Sequence, residues 1–238
     1  MADGAHIFDI TPRITDKLGV WPGDTPLSRE VLMDMQRGDG LTLSTLRATV
    51  HLGAHADGPN HYGKDAPAID SRSLDYYLGL CQVIRVNVAR GTRVTTADVA
   101  AGLAHSAHSA QSASSGRNVG QLGKNGPLAV AAPRVLIATG TFPDPHAWNN
   151  DFAALEPALI DDLHAAGVMT VGIDTPSVDL MESKDLPAHA AFLRNDMAIL
   201  EGLVLADISP GVYELIALPL PLVGFDASPV RAVLRTLD

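Results

Sequence analysis

Cysteine is almost missing: Cys81 is the only one in 238 residues, so no internal disulfide can form. It opens the run Cys81-Gln82-Val83-Ile84-Arg85-Val86, whose alternation reads as a strand and whose thiol is expected to be buried. Basic residues are also scarce. Seventeen Lys and Arg stand against 27 Asp and Glu, a formal net charge of -10. Binders of nucleic acid or anionic membranes need clustered cations, so this balance disfavours both. No apolar run approaches the ~20 residues that span a bilayer. Met1 to Thr11 has no basic stretch leading into an apolar one, so no signal peptide is expected, and a soluble, cytoplasmic protein is. Gly-x-Gly-x-x-Gly and phosphate-loop patterns are missing. So is the Gly-x-Ser-x-Gly elbow, which makes serine catalysis a weak alternative.

What remains is an ordinary globular composition, 46% hydrophobic, with enough length for one large domain over residues 1–238. Strands are expected at His6–Ile10, Ser28–Met35, Leu41–Val50, Gln82–Val88, Arg134–Thr139, Met169–Ile173, Met197–Ala206 and Tyr213–Leu218. Helices are expected at Ser73–Leu80, Thr95–Leu103, Asp151–Ala166, Leu186–Asn195 and Ser228–Leu237, the last with Ser228 as N-cap and Pro229 at the first helical position. The mixed order points to an α/β fold with a mixed sheet rather than a TIM barrel or a dinucleotide-binding fold. Residues 104–133, rich in Ala, Ser, Gly and Asn, read as a mobile surface insertion, with His105 and His108 solvated inside it.

The stretch that carries chemistry is His51-Leu52-Gly53-Ala54-His55-Ala56-Asp57-Gly58-Pro59-Asn60-His61. Imidazole nitrogen and carboxylate oxygen are the donors that zinc and similar divalent ions take. On a straight strand His51 and His55 would share a face but lie about 13 Å apart. Ligands of one zinc each sit only about 2 Å from the metal. The chain must therefore bend, and Gly53 lies midway. A helix would also bring the two together, but Gly53, Gly58 and Pro59 oppose one. The alternative is a turn with solvated histidines.

Two metal ions would need further donors, from His6, His146, His164, His189 and the carboxylates, and spacing does not choose among them. His164 falls on the polar side of its helix. Glu201, inside Ala198-Ile199-Leu200-Glu201-Gly202-Leu203-Val204, needs a partner if buried, and a cation serves; on an edge strand it would face water instead. Asp174, past a strand end, is a further candidate, or the cap of a turn.

The pattern His51-x-Gly53-Ala54-His55-x-Asp57-x-Pro59-x-His61 resembles the signature of the cyclase-like metal hydrolases, His-x-Gly-Thr-His-x-Asp-x-Pro-x-His. Val20 to Pro26, Gly172 to Ser177, Met197 to Gly202 and Tyr213 to Leu220 extend the likeness over nearly the whole chain and point to the bacterial arylformamidase branch. The resemblance implies a swivelling β/β/α domain, a homo-oligomer (dimer or tetramer) and two zinc ions per chain, with manganese the alternative. It assigns His51, His55, Asp57, His189 and Glu201 as ligands, Asp57 as the bridge, His61 as the catalytic histidine, and Trp21 to the substrate pocket. Ala54 replaces the usual threonine, and Ala190 stands where relatives often carry a second histidine.

The implied activity is hydrolysis of N-formyl-L-kynurenine to L-kynurenine and formate by zinc-bound hydroxide, since zinc lowers the pKa of its water to about 7. An unassigned cation would hold the amino-acid carboxylate. An isatin-like cyclic amide is the alternative substrate. A purely structural metal would fill four ligands and leave no spare histidine such as His61.

Overall fold

The computed structural model describes residues 4–113 and 128–237. In chain order the elements are β1 (Ile7–Asp9), β2 (Ser28–Met33), β3 (Leu43–Arg47), β4 (His55–Asp57), β5 (Leu78–Arg85), β6 (Arg93–Val94), α1 (Thr96–Ala113), β7 (Arg134–Ala138), β8 (Ala154–Leu155), α2 (Pro157–Ala165), β9 (Thr170–Ile173), α3 (Pro187–Arg194), β10 (Ala198–Glu201), β11 (Gly211–Ile216), β12 (Ala227–Pro229) and β13 (Val233–Arg235). Among the described residues no helix is long and apolar enough to cross a membrane.

One mixed sheet of nine strands dominates, in the order β1-β13-β11-β5-β7-β9-β10-β4-β12. Its centre, β5-β7-β9-β10, is parallel, and antiparallel strands flank it on both sides. Strands β2 and β3 form a separate hairpin. This is the mixed α/β architecture expected from the sequence.

Alternation along the central strands builds two cores. Val135 and Ile137 of β7, with Val171, Ile173 and Ile199, meet Leu159, Ile160 and Leu163 of α2 and Phe192 of α3. Leu136 and Ala138 point the other way, with Cys81, Val83, Leu200 and Leu234. Cys81 is fully buried in β5, as its neighbours implied.

Four expectations need correction. Ser73–Leu80 is not a helix: Ser73 caps a single 3-10 turn, Leu74–Tyr76, and β5 begins at Leu78, with Gly79 at φ 125° breaking any helical continuation. Ser228–Leu237 is two strands. Val230, Ala232 and Leu234 are buried while Arg231 and Arg235 are exposed, a period of two rather than 3.6. The helix expected over Asp151–Ala166 starts only at Pro157, because Ala154–Leu155 pairs in parallel with β6. Both ends of the expected 104–133 insertion are instead part of the fold. Helix α1 runs on to Ala113, and Leu128, Val130 and Ala132 are buried, the first two in the helix-side core. Residues 114–127 and the side chains of His105 and His108 lie outside what the structure describes.

Candidate metal centre

The bend that the two histidines require is present. Gly53 adopts φ +60°, a region open to glycine at little cost, and the His51 and His55 rings lie 4.9 Å apart, centre to centre. A side chain at Gly53 would press on Pro12 and Leu18. The chain then enters β4, whose position in the sheet completes the cluster. Ala56 pairs with Leu200 and His55 with Glu201 across the β4–β10 ladder. Ala56 and Leu200 face the second core, so His55, Asp57 and Glu201 face the opposite side, where α3 lies. Glu201 is therefore on an interior strand and only 3% exposed; the edge-strand alternative does not hold.

Helix α3 delivers His189 into the same space. Its Nδ1 lies 2.9 Å from Asp179 Oδ2, and the Asp179 carboxylate also accepts the backbone N–H groups of Ala188 and His189 and pairs with Arg93 at 2.9 Å. That leaves Nε2 facing Asp57 Oδ2 at 3.5 Å and Glu201 Oε1 at 3.7 Å. His55 is held the same way. Its Nδ1 lies 2.9 Å from the Gly53 carbonyl, and its Nε2 faces Glu201 Oε2 at 3.3 Å and Asp57 Oδ1 at 3.5 Å. Fixing one ring nitrogen so that the other points at a common centre is the outer-shell arrangement that orients metal-binding imidazoles.

Asp226 connects the remaining two histidines. Its Oδ2 is 3.0 Å from His51 Nε2 and 3.4 Å from His61 Nδ1, while His51 Nδ1 lies 3.3 Å from Asp57 Oδ1. Among the described residues three sets of donors result, each with its atoms within 4.8 Å of one another: His51, His55 and Asp57; His51, His61 and Asp226; Asp57, His61 and His189. Asp57 belongs to two of them. His61, with a side chain 34% exposed, is more open than His51, His55 or His189; the structure places it among the possible ligands as well as beside the cavity.

The donor set fits divalent metal. His55 Nε2 and both oxygens of Asp57 are buried with no hydrogen-bond partner among the described residues, a costly state unless a cation satisfies them. Without one, protons take its place. Burial works against a charged His189, but the Asp179 and Asp57 carboxylates outweigh it and raise the imidazole to about 10. His51 is raised to about 9 against the same opposition, by Asp57 and Asp226. Asp57 is held well below the ordinary carboxylate range: its burial favours the neutral acid, and the His189 and His51 contacts overcome that. Asp174 does not join the cluster. Both of its oxygens accept from Thr139 and Gly140, and burial raises it despite them. His164 is exposed on α2, and His146 lies against the Arg13 carbonyl.

The cluster opens into a cavity of about 820 Å³ lined by His51, His55, His61, His189 and Glu201. Trp21 lines it too, packed edge-on against Trp148 at 5.7 Å and Phe152 at 6.2 Å between ring centres, and Phe142 and Trp148 extend the aromatic wall. Asp179, Asp226 and Trp148 were not singled out in the sequence. Val178-Asp179-Leu180 carries the same signal as Glu201, a carboxylate between apolar neighbours. Asp226 acts on a histidine 175 residues away, and no local pattern announces that.

A family model named Cyclase, described as "Putative cyclase", matches residues 8–180, well over half of the chain. Among solved structures, the chain is similar to a potential metal-dependent hydrolase with cyclase activity (TM-score 0.75, 22% identity, 99% of this chain and 100% of that one). It is similar to a predicted metal-dependent hydrolase from Bacillus stearothermophilus (TM-score 0.73, 23% identity, 98% and 100%). It is also similar to isatin hydrolase A from Labrenzia aggregata, bound to benzyl benzoate (TM-score 0.74, 19% identity, 98% and 94%). With the family model matched across the metal motif and the fold matched end to end, the chain belongs to the cyclase family.

Proposed function

We propose that this chain is an arylformamidase, a metal-dependent amide hydrolase that converts N-formyl-L-kynurenine to L-kynurenine and formate in tryptophan degradation by the kynurenine pathway. The observation that carries the reading is that a cluster with buried, unpartnered metal donors, His55 Nε2 and both Asp57 oxygens, shares its histidines with a cavity walled by aromatic rings. His51, His55 and Asp57 would hold one ion, and Asp57, His189 and Glu201 a second; the donors suit zinc, with manganese the alternative. Bound there, the metal would acidify a water and polarise the formyl carbonyl.

The chain's own residues supply the remainder. Asp57 directs Oδ1 toward His51 and His55 and Oδ2 toward His189, the placement of a bridging carboxylate. Trp21 holds the aryl ring. His61 lines the cavity with Asp226 Oδ2 3.4 Å from its Nδ1, which leaves Nε2 for the substrate, and imidazole is the side chain suited to exchange a proton near neutral pH. Water adds its oxygen to the formyl carbon and yields a proton to His61; as the C–N bond breaks, His61 delivers that proton to the aniline nitrogen, and the free amine and formate leave, the second water proton being released to solvent as formic acid ionises. Exchanging His61 for alanine tests this. The variant is expected to keep its fold and metal content and lose turnover. Turnover that survives contradicts the acid role, and loss of one metal equivalent would make His61 a ligand instead.

A second reading, an isatin-like cyclic amide as substrate, is favoured by the likeness to an isatin hydrolase over 98% of the chain. The same ligand set serves both, so a substrate panel separates them. The reading includes a homo-oligomer: the β2–β3 hairpin exposes Leu32, Leu43 and Leu46, apolar area of the kind a second copy covers, and light scattering reads the mass.

A further inference from the structure

The four central strands end in step. Arg85, the last residue of β5, stands in register with Ala138 of β7; Ile137 pairs with Ile173 of β9, and Gly172 with Leu200 of β10. The carboxyl ends of four adjacent parallel strands thus present, in order, Arg85, the Thr139–Gly140 turn, Asp174 and Glu201. The crevice beyond such strand ends is where open α/β sheets bind ligands. Three strand spacings put the main chains of Arg85 and Glu201 roughly 14 Å apart, and both residues line the one cavity. Glu201 stands at one end of this row and Arg85 at the other; Arg85 falls on the strand face of Cys81 and Val83, and Glu201 on the opposite face with Ile199, so the two side chains share space only beyond the strand ends, in the cavity that both line.

Arg85 is the one Lys or Arg among the described residues lining the cavity. Its Nη2 donates to the carbonyls of Leu205, Ala206 and Ile208 at 3.1, 2.9 and 3.2 Å. Those carbonyls orient the guanidinium without neutralising it. None of the arginine ion pairs among the described residues includes Arg85, although the chain carries ten more acidic than basic side chains. A fixed cation with no carboxylate partner among the described residues, on the wall of a cavity, is a site for an anionic group of the ligand.

We propose that Arg85 recognises the carboxylate of the substrate, so that the cavity selects aryl formamides with an acidic side chain over neutral aryl or cyclic amides. The inference rests on the formamidase reading above. With the formyl group at the metal donors and the ring beside Trp21, a side chain ending in a carboxylate runs along the strand ends to Arg85. An isatin ring, which is neutral and compact, does not reach it.

The test compares N-formyl-L-kynurenine with formanilide, which lacks the carboxylate, in the metal-loaded wild type and in Arg85→Gln. The variant is expected to lower the ratio of kcat/KM on the acid to that on formanilide by roughly 10- to 100-fold, the scale of a lost charge-assisted contact, with the loss carried in KM. An unchanged ratio, whether both activities fall or neither does, overturns the proposal and leaves Arg85 as a support for the 205–208 loop. If Arg85→Gln does not fold, the wild type decides: it should prefer N-formyl-L-kynurenine to its methyl ester by at least about tenfold on the same grounds, and equal rates overturn the proposal. A wild type that hydrolyses isatin but neither formamide removes the formamidase reading, and this inference with it. That outcome is distinct from an unchanged ratio.

Discussion

Asp179 Oδ2 and His189 Nδ1 lie 2.9 Å apart, and that contact decides which way the histidine carried on α3 faces. Asp179 is fully buried. Burial alone would raise its carboxyl, but His189 and the N–H groups of Ala188 and His189 pull it below the ordinary range. The charged carboxylate keeps the proton on Nδ1 and turns Nε2 toward Asp57 and Glu201.

Replacing Asp179 with asparagine should therefore weaken metal binding by about 10- to 100-fold, the usual effect of losing the group behind a ligating histidine. Competition with a chromophoric chelator measures it. Affinity equal to wild type would mean that α3 packing alone orients His189.

Gly202 stands at φ +66° at the end of β10, and a Cβ there would collide with the Gly53 carbonyl. Gly91 has a similar φ of +70° and open space around it. Both substitutions to alanine carry the left-handed backbone penalty of about 1 kcal/mol. Only Gly202→Ala adds a clash between the two segments that build the site. Urea denaturation should show Gly202→Ala losing at least about 1 kcal/mol more than Gly91→Ala, on the scale of overpacking in a close-packed interior, together with weaker metal binding. Equal losses would place the effect in the backbone alone.

The metal-free chain should lose stability as pH rises through the alkaline range. His51 and His189 are raised to about 9 and about 10 from an unfolded value near 6.5. Their protonated forms stabilise the folded state fully below about 6.5, and that contribution disappears as pH climbs through 9 and 10. Asp57, lowered in the folded chain, works at the other end: its contribution is present above the unfolded carboxylate value and is lost in acid. Chelator-treated protein should unfold at lower urea at pH 10 than at pH 6.5, with a smaller difference in His189→Gln. Metal binding, which displaces those protons, should tighten over the same range. Higher apo stability at pH 10 would contradict the assignment.

Burial pushes the Cys81 thiol up, away from the thiolate that reacts. A disulfide reagent should label the native chain slowly and the urea-unfolded chain within minutes. Fast labelling of the native protein would mean that β5 opens readily.

Much of the site could be read from the sequence because its signals are local. His51 and His55 cannot share an ion without the bend at Gly53, and Glu201 among Ile199, Leu200 and Leu203 cannot stay unpaired. What was not legible depends on pairing over long distances. Asp226 reaches His51 because β12 lies beside β4, a neighbourhood that nothing near residue 226 encodes. The terminal segment departs from its expected helix for a related reason. Ser228-Pro229 imitates a helix start, whereas the alternation from Val230 to Arg235 takes its meaning from β13 lying between β1 and β11. Over Ser73–Leu80 the expected helix stops after one 3-10 turn, because Gly79 and the pairing of β5 with β11 end it.

The most direct measurement is the rate of N-formyl-L-kynurenine hydrolysis, followed by kynurenine absorbance, with the metal content of the same sample determined by elemental analysis. Turnover is expected with close to two zinc ions per chain, lost on chelation and restored by added zinc. Turnover that survives complete removal of metal, or a fully metal-loaded chain with no activity on this formamide, would contradict the proposed function.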